Sequence, residues 1–319
     1  ATESRVRLME RLREAWLPDG IVRGVFTSGG SEAMDGAIRL AVQHHVSAGR
    51  PERWKVIGRD LSYHGTTLAT LAIGGHEKRR APFDPWLVDL PRAPACYCLR
   101  CPLGKEPSSC GMACADALER LIEREGPETV AAFVAEPIGG STAGALVPPD
   151  EYWPRVAEIC RRHGVLLIAD EVMTGLGRTG KWFGVDHWQV VPDLITMAKG
   201  LTSAYVPLGA VGLSRRISDV LDTRMLYCGL TYSCHPLSCA SAYEVIGVYQ
   251  KEGLVENSRN LGKVLMAELE QMQQRHPCVG DVRGLGLFAC MVLVINRDTW
   301  APLVPYNAKG EAAALTKKI

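Results

Sequence analysis

Polar residues that could do chemistry stand directly after apolar, strand-like runs. Glu136 follows Val130–Ala135, Asp170 follows Val165–Ala169, and Lys199 follows Leu194–Ala198. A fourth run, Val25–Thr27, leads into the small-residue turn Ser28-Gly29-Gly30-Ser31. In open α/β sheets ligands bind beyond the carboxyl ends of the strands, so two acids, a lysine and this turn are expected on one rim. The turn opens a helix whose inner face carries Ala33, Ala37, Leu40 and Ala41. Free N–H groups at such a helix start, with glycines that permit close approach, suit a phosphate. A phosphate cradle, a buried carboxylate and a lysine at a strand end are the parts that pyridoxal 5′-phosphate requires. The lysine forms a Schiff base, and the carboxylate keeps the pyridine nitrogen protonated so that the ring takes up electrons. Partial desolvation would lower the lysine's pKa, letting it act as nucleophile and then as base.

Alternating helices and strands must position these groups. A helix begins near Asp150, with Trp153, Val156, Ala157 and Cys160 at helical spacing, and Gly164 caps it before the run Val165–Ala169. Another covers Ala113–Glu125, stops at Gly126-Pro127 and feeds Val130–Ala135. The repeated order predicts an α/β fold whose mainly parallel sheet has helices on both faces. Residues 1–245 read as one large unit. From 246 to 319 the texture changes to a smaller α+β unit: a long helix with Leu261, Val264, Leu265 and Leu269 on one face, then Gly284 and Gly286 leading into a strand over Leu287–Ile295.

Composition excludes other classes. With 36 basic and 35 acidic residues among 319 the net charge is +1, without charged blocks, which argues against nucleic acid or an anionic membrane as partner. Eleven cysteines are too few for a disulfide scaffold and fit reduced thiols in the cytoplasm. No apolar run approaches the ~20 residues of a membrane helix. The chain begins at Ala1 without a signal-peptide pattern, and is expected to be a piece or a processed form.

An ordered set of motifs resembles the class III pyridoxal-phosphate aminotransferases of fold type I. These are Ser28–Ala33 (SGGSEA), Tyr63-His64-Gly65, Glu136-Pro137, Asp170–Gly180 (DEVMTGLGRTG), Met197–Gly200 (MAKG), Thr231-Tyr232-Ser233 and Arg283–Gly286 (RGLG), in the family's order over nearly the whole chain. The resemblance implies a large domain with a mainly parallel sheet and a partial smaller domain. It implies Lys199 as Schiff-base lysine and proton shuttle, and Asp170 as partner of the pyridinium nitrogen. Gly30 and Ser31 would bind the phosphate, Tyr63 and Val172 would sandwich the ring, and His64, Glu136 and Met173 would complete the cofactor site. Thr231 would reach the phosphate of a neighbouring subunit, making the active species a homodimer.

The same resemblance narrows the substrate. Where the 4-aminobutyrate branch has an arginine after His-Gly, this chain has Thr66, and where that branch has a glutamine that bonds the cofactor's ring oxygen, it has Met173, which cannot donate such a bond. Both differences imply the branch that moves the amino group of an ω-amino acid or amine to a 2-oxo acid such as pyruvate. The arginine that receives the acceptor's carboxylate would lie beyond Ile319, and in the family it swings away or pairs with the acid matching Glu136. An aminomutase or decarboxylase on the same cofactor site is an alternative, as is a truncated, non-catalytic paralogue, since members are longer at both ends. Cys234 and Ala204 replace common glycines, and Leu176 a common phenylalanine.

Two further motifs carry other readings. Gly175–Gly180 matches G-x-G-x-x-G, the mark of a nicotinamide-dependent oxidoreductase, but its glycines stand away from the strand end and Gly184 and Pro192 interrupt any following helix. Cys96, Cys98, Cys101, Cys110 and Cys114 crowd one segment; Cys98, Cys101, Cys110 and Cys114 have the spacing of zinc ligands, although free or packed thiols are the plainer expectation.

Overall fold

The computed structural model describes residues 2–15, 20–305, 308, 310 and 314. Helix α1 (Glu3–Ala15) is followed by β1 (Ile21–Thr27), α2 (Gly30–Ser47), β2 (Lys55–Arg59), α3 (Leu68–Ile73), α4 (Glu77–Arg80) and β3 (Arg92–Ala93). Next come α5 (Ala113–Glu125), β4 (Val130–Ala135), α6 (Tyr152–His163), β5 (Leu166–Asp170), β6 (Leu194–Met197), β7 (Gly209–Ser214) and α7 (Arg215–Leu221). Helices α8 (Pro236–Lys251) and α9 (Leu254–Arg275) precede β8 (Val279–Leu285), β9 (Phe288–Asn296) and β10 (Ala301–Pro302).

Strands β1 to β7 form one sheet in the order β1-β7-β6-β5-β4-β2-β3. From β6 to β3 every pair is parallel, and β7 runs antiparallel to both of its neighbours. All residues of β4 and β5 are buried, as a sheet covered on both faces requires. Strand alternation sorts the side chains. Ala132, Val134, Leu166 and Ile168 pack with Ala33, Ala37, Leu40 and Ala41 of α2, so the stripe expected on that helix is the one buried. Phe133, Ala135 and Leu167 point the other way, toward Leu118 and Ile122 of α5 and Trp153 and Val156 of α6. Leu8 and Leu12 of α1, with Ala242 and Ile246 of α8, close over Phe26, Ile195 and Met197. Helix α6 ends where expected: Gly164 takes the left-handed cap (φ 66°) and donates its N–H to the Arg161 carbonyl.

The C-terminal part departs more from expectation. Residue 245 lies inside the continuous helix α8. Strands β8, β9 and β10 form a separate antiparallel sheet in which β8, a mixture of glycine and charge, was not foreseen. On α9, Leu261 and Val264 are 47% and 58% exposed, whereas Ser258 and Gly262 are buried. The cause is a backbone-to-backbone approach: a Cβ on Gly262 would stand 2.4 Å from Cα of Gly286, in the β8–β9 turn. Small residues, not large apolar ones, select this face. Arg283, which opens the RGLG motif, lies in β8 and ties the second sheet to the loop after β4, donating to the carbonyls of Gly144 (2.9 Å) and Ala143 (2.6 Å). Among the described residues no helix is long and apolar enough to cross a membrane.

Candidate active site

The carboxyl ends of β1, β4, β5 and β6 open on one cavity of about 450 Å³. Gly30, Ser31, Tyr63, His64, Glu136, Asp170, Val172, Met173 and Lys199 all line it, so the rim expected from strand ends is assembled in one place. Thr231 does not line this cavity; it is exposed.

Asp170, the last residue of β5, is buried and held by three donors. His64 Nδ1 lies 2.7 Å from Oδ2, while Val172 N and Thr196 Oγ1 donate to Oδ1 at 3.1 and 3.3 Å. A ring nitrogen bonded to a carboxylate carries the hydrogen, so Nδ1 is protonated and Nε2 faces away. His64 is thus a positioning residue for Asp170. Lys199 follows β6 with φ of 41°, a left-handed conformation that costs a side-chain-bearing residue roughly 1–2 kcal/mol. The tight turn enforces it, since its carbonyl accepts from the N–H groups of Thr202 and Ala204. Burial lowers the Lys199 ammonium from its ordinary value, against the opposing pull of Asp170 and Glu136. Glu136 is pushed up by burial, with His64 and Arg59 opposing, and its Oε1 accepts the Tyr63 N–H at 3.3 Å.

The phosphate turn is shaped by close approaches. Gly29 is extended before the first turn of α2, whose N–H groups lack partners within the helix. Gly65 has φ of 140°, and a Cβ there would lie 2.5 Å from Ser31 Oγ and 2.9 Å from Ser31 Cα. Ser31 Oγ in turn accepts the Thr66 N–H at 3.1 Å, joining the Tyr-His-Gly turn to the helix start. Cys234 and Ala204, which replace common glycines, both stand at positive φ (61° and 62°), so the strain expected of a side chain is present there.

Three contributors escaped the sequence reading. Arg59, at the end of β2, is buried and donates to the Glu136 carbonyl at 2.9 Å; the strand-end rule that singled out Glu136 would have marked the residue but not its partner. Thr196 is a polar residue within the otherwise apolar β6. Glu171 accepts from Thr174 Oγ1, from Gly184 N (2.9 Å) and from Val185 N (2.8 Å), and burial raises it to about 7. It thereby staples Gly175–Gly180 into a series of turns that opens no helix, which removes the structural basis of a nicotinamide site.

These residues fit pyridoxal 5′-phosphate. The set offers helix-start N–H groups for a phosphate, an oriented carboxylate for a protonated ring nitrogen, and an amine displaced toward neutrality. Two buried polar atoms of the cavity residues, His64 Nε2 and Glu136 Oε2, have no hydrogen-bond partner among the described residues.

Comparison with known proteins agrees. The family model for class III aminotransferases matches residues 1–309. The putrescine–pyruvate aminotransferase of Pseudomonas aeruginosa is 39% identical over 287 residues, 88% of this chain and 62% of that protein. An (S)-enantioselective omega-transaminase from Thermomicrobium roseum superposes with a TM-score of 0.88 at 40% identity, covering 94% of this chain and 67% of that one. A PLP-bound amine transaminase from an uncultivated Pseudomonas species gives 0.89 at 36% identity, covering 96% and 70%. The chain therefore spans about two thirds of the length of the relatives it matches, and its sheet is that of fold type I. It belongs to the class III aminotransferase family.

Proposed function

We propose that the protein transfers the amino group of an ω-amino acid or simple amine to a 2-oxo acid, pyruvate first among them, with pyridoxal 5′-phosphate held on Lys199. The observation that carries this reading is the meeting of Lys199, from the end of β6, with Asp170, from the end of β5 and oriented by three donors, in one cavity. When bound, the cofactor supplies an electron sink for the charge left as the amine carbon loses a proton. The first turn of α2, with Gly30 and Ser31, would hold its phosphate. Asp170 would keep the ring nitrogen's proton in place, and Tyr63 and Val172 would bracket the ring and exclude water. Lys199 Nζ, kept from full basicity by burial, would take the proton from the amine carbon and move it on.

The similarity to a putrescine–pyruvate aminotransferase supports the amine:pyruvate direction. So do Thr66, exposed beside the cavity where an arginine would bind a 4-aminobutyrate carboxylate, and Met173 in its wall. A homodimer is part of the proposal. Thr231 is exposed, as are Tyr205 at the cavity mouth (80%) and Tyr232 (73%), a surface that a second copy would cover. A cytoplasmic location is part of the same proposal, and the free cysteines support it. The test is a half-reaction screen: holoenzyme is mixed with putrescine, β-alanine, taurine or 4-aminobutyrate, and conversion of the cofactor from its aldehyde to its amine form is followed by absorbance. Conversion by putrescine or β-alanine, reversed by pyruvate, is expected. Conversion by 4-aminobutyrate alone, reversed only by 2-oxoglutarate, would defeat the assignment.

A further inference from the structure

We propose that Cys98, Cys101, Cys110 and Cys114 form a thiolate site for one tetrahedral divalent cation of the zinc class, which pins the chain between β3 and α5. Those four sulfur residues, together with Cys96, line a single small cavity of about 20 Å³, room for one atom-sized guest. The ligands come as Cys-x2-Cys from the 3-10 turn Cys98–Arg100 and its exit, and as Cys-x3-Cys from Cys110, just before α5, and Cys114 in its first turn, spacings that suit a zinc site.

Cys114 stands in the first turn of α5, and Cys96, the fifth sulfur on the cavity wall, is buried. Four thiolates and one divalent ion leave a net charge of −2, and Lys105 lines the same cavity to offset part of it.

Binding must draw the segment inward. Among the described residues no three of these sulfurs lie within 4.8 Å of one another, whereas tetrahedral bonds of about 2.3 Å put ligand sulfurs about 3.8 Å apart. Gly104 and Gly111 have open space where a Cβ would stand and both take positive φ, so the turns they make leave room for closure. The step forms four metal–sulfur bonds, releases the thiol protons to water and oxidises nothing.

The test uses the reduced, chelator-treated holoenzyme. Cobalt(II) is added as probe, and sulfur-to-cobalt charge-transfer absorption, displaced by zinc(II), is read against equivalents added. One equivalent per chain is expected, with zinc shielding these four cysteines from alkylation in peptide mapping. Cys98→Ser and Cys110→Ser should each weaken binding at least tenfold, while Cys278→Ser, at an exposed position elsewhere, leaves the stoichiometry at one. The wild-type titration and mapping stand even if a serine variant fails to fold. Binding below a tenth of an equivalent, unchanged alkylation of the four cysteines in zinc, or a disulfide among them in protein thiol-trapped on lysis would overturn the proposal.

Discussion

Replacing His64 with phenylalanine should slow the amine half-reaction about 10- to 150-fold while leaving the cofactor bound. The substitution keeps a buried ring and removes the Nδ1–H that lies 2.7 Å from Asp170 Oδ2, together with Nε2, which has no hydrogen-bond partner among the described residues. The other donors, Val172 N and Thr196 Oγ1, both serve Oδ1, so Oδ2 is left without a donor among the described residues. The His64 and Asp170 side chains are 0% and 4% exposed, and no water from bulk makes up the loss. A hydrogen bond to a charged group contributes about 1.5–3 kcal/mol, and at roughly 1.4 kcal/mol per decade this gives the stated range. Single-turnover stopped-flow absorbance measures the step, and equilibrium dialysis measures cofactor retention separately. A merely structural role for His64 would move both together. His64→Asn, which restores an N–H donor, should recover part of the rate. A phenylalanine variant within twofold of wild type, or an asparagine variant no better than phenylalanine, would refute the reasoning.

Gly65→Ala should release the cofactor, because its Cβ would meet the backbone of Ser31 at 2.9 Å in a conformation that also disfavours a side chain; dialysis should show at least a tenfold weaker hold, with unaltered affinity counting against the cradle. Thr231→Ala should weaken cofactor retention only in the dimer, as sedimentation alongside a binding titration would show. His45, fully buried with Nε2 on the Ala131 carbonyl, is lowered to about 4 by burial. The unfolded chain takes up its proton first as pH falls from 6.5, so the stability given by neutral His45 is present above 6.5 and lost toward 4, by up to about 3 kcal/mol. His45→Gln retains a donor for Ala131, and its urea-unfolding profile should be flatter than wild type across that window; parallel profiles would exclude the effect.

The cofactor rim was legible because one rule, a polar residue ending an apolar run, follows from sheet geometry itself. It located Glu136, Asp170 and Lys199 without knowledge of neighbours, since strand direction alone decides where such residues emerge. Their partners were less accessible. The bond from Thr196 to Asp170 depends on the parallel register of β5 and β6, and that from Arg59 to Glu136 on β2 lying beside β4; both are cross-strand facts that a linear pattern does not contain. The exposed Leu261 and Val264 show the opposite failure. Apolar periodicity marks a face fit for burial, but on α9 the glycine contact with the β8–β9 turn decided which face was covered. Glycine carries no periodic signal, so that choice stayed hidden.

The antiparallel strand β7 has a consequence for biosynthesis. Strand β1, which carries the phosphate turn, borders the sheet through β7 alone, with Ile21 opposite Ser214 and Thr27 opposite Gly209. A ribosome delivers β1 and the start of α2 before β2 to β7, yet their seat exists only after β7 has cleared the exit tunnel. Until then the small-residue turn has no sheet edge to rest on, and the apolar stripe of α2 has only β2, β4, β5 and β6 to find. Closing so long a stretch of chain is slow compared with the neighbouring hairpin of β6 and β7. The lysine thus reaches its place by a local pairing, whereas the phosphate cradle waits for a long-range one, so the two halves of the cofactor site are completed by steps of very different chain separation.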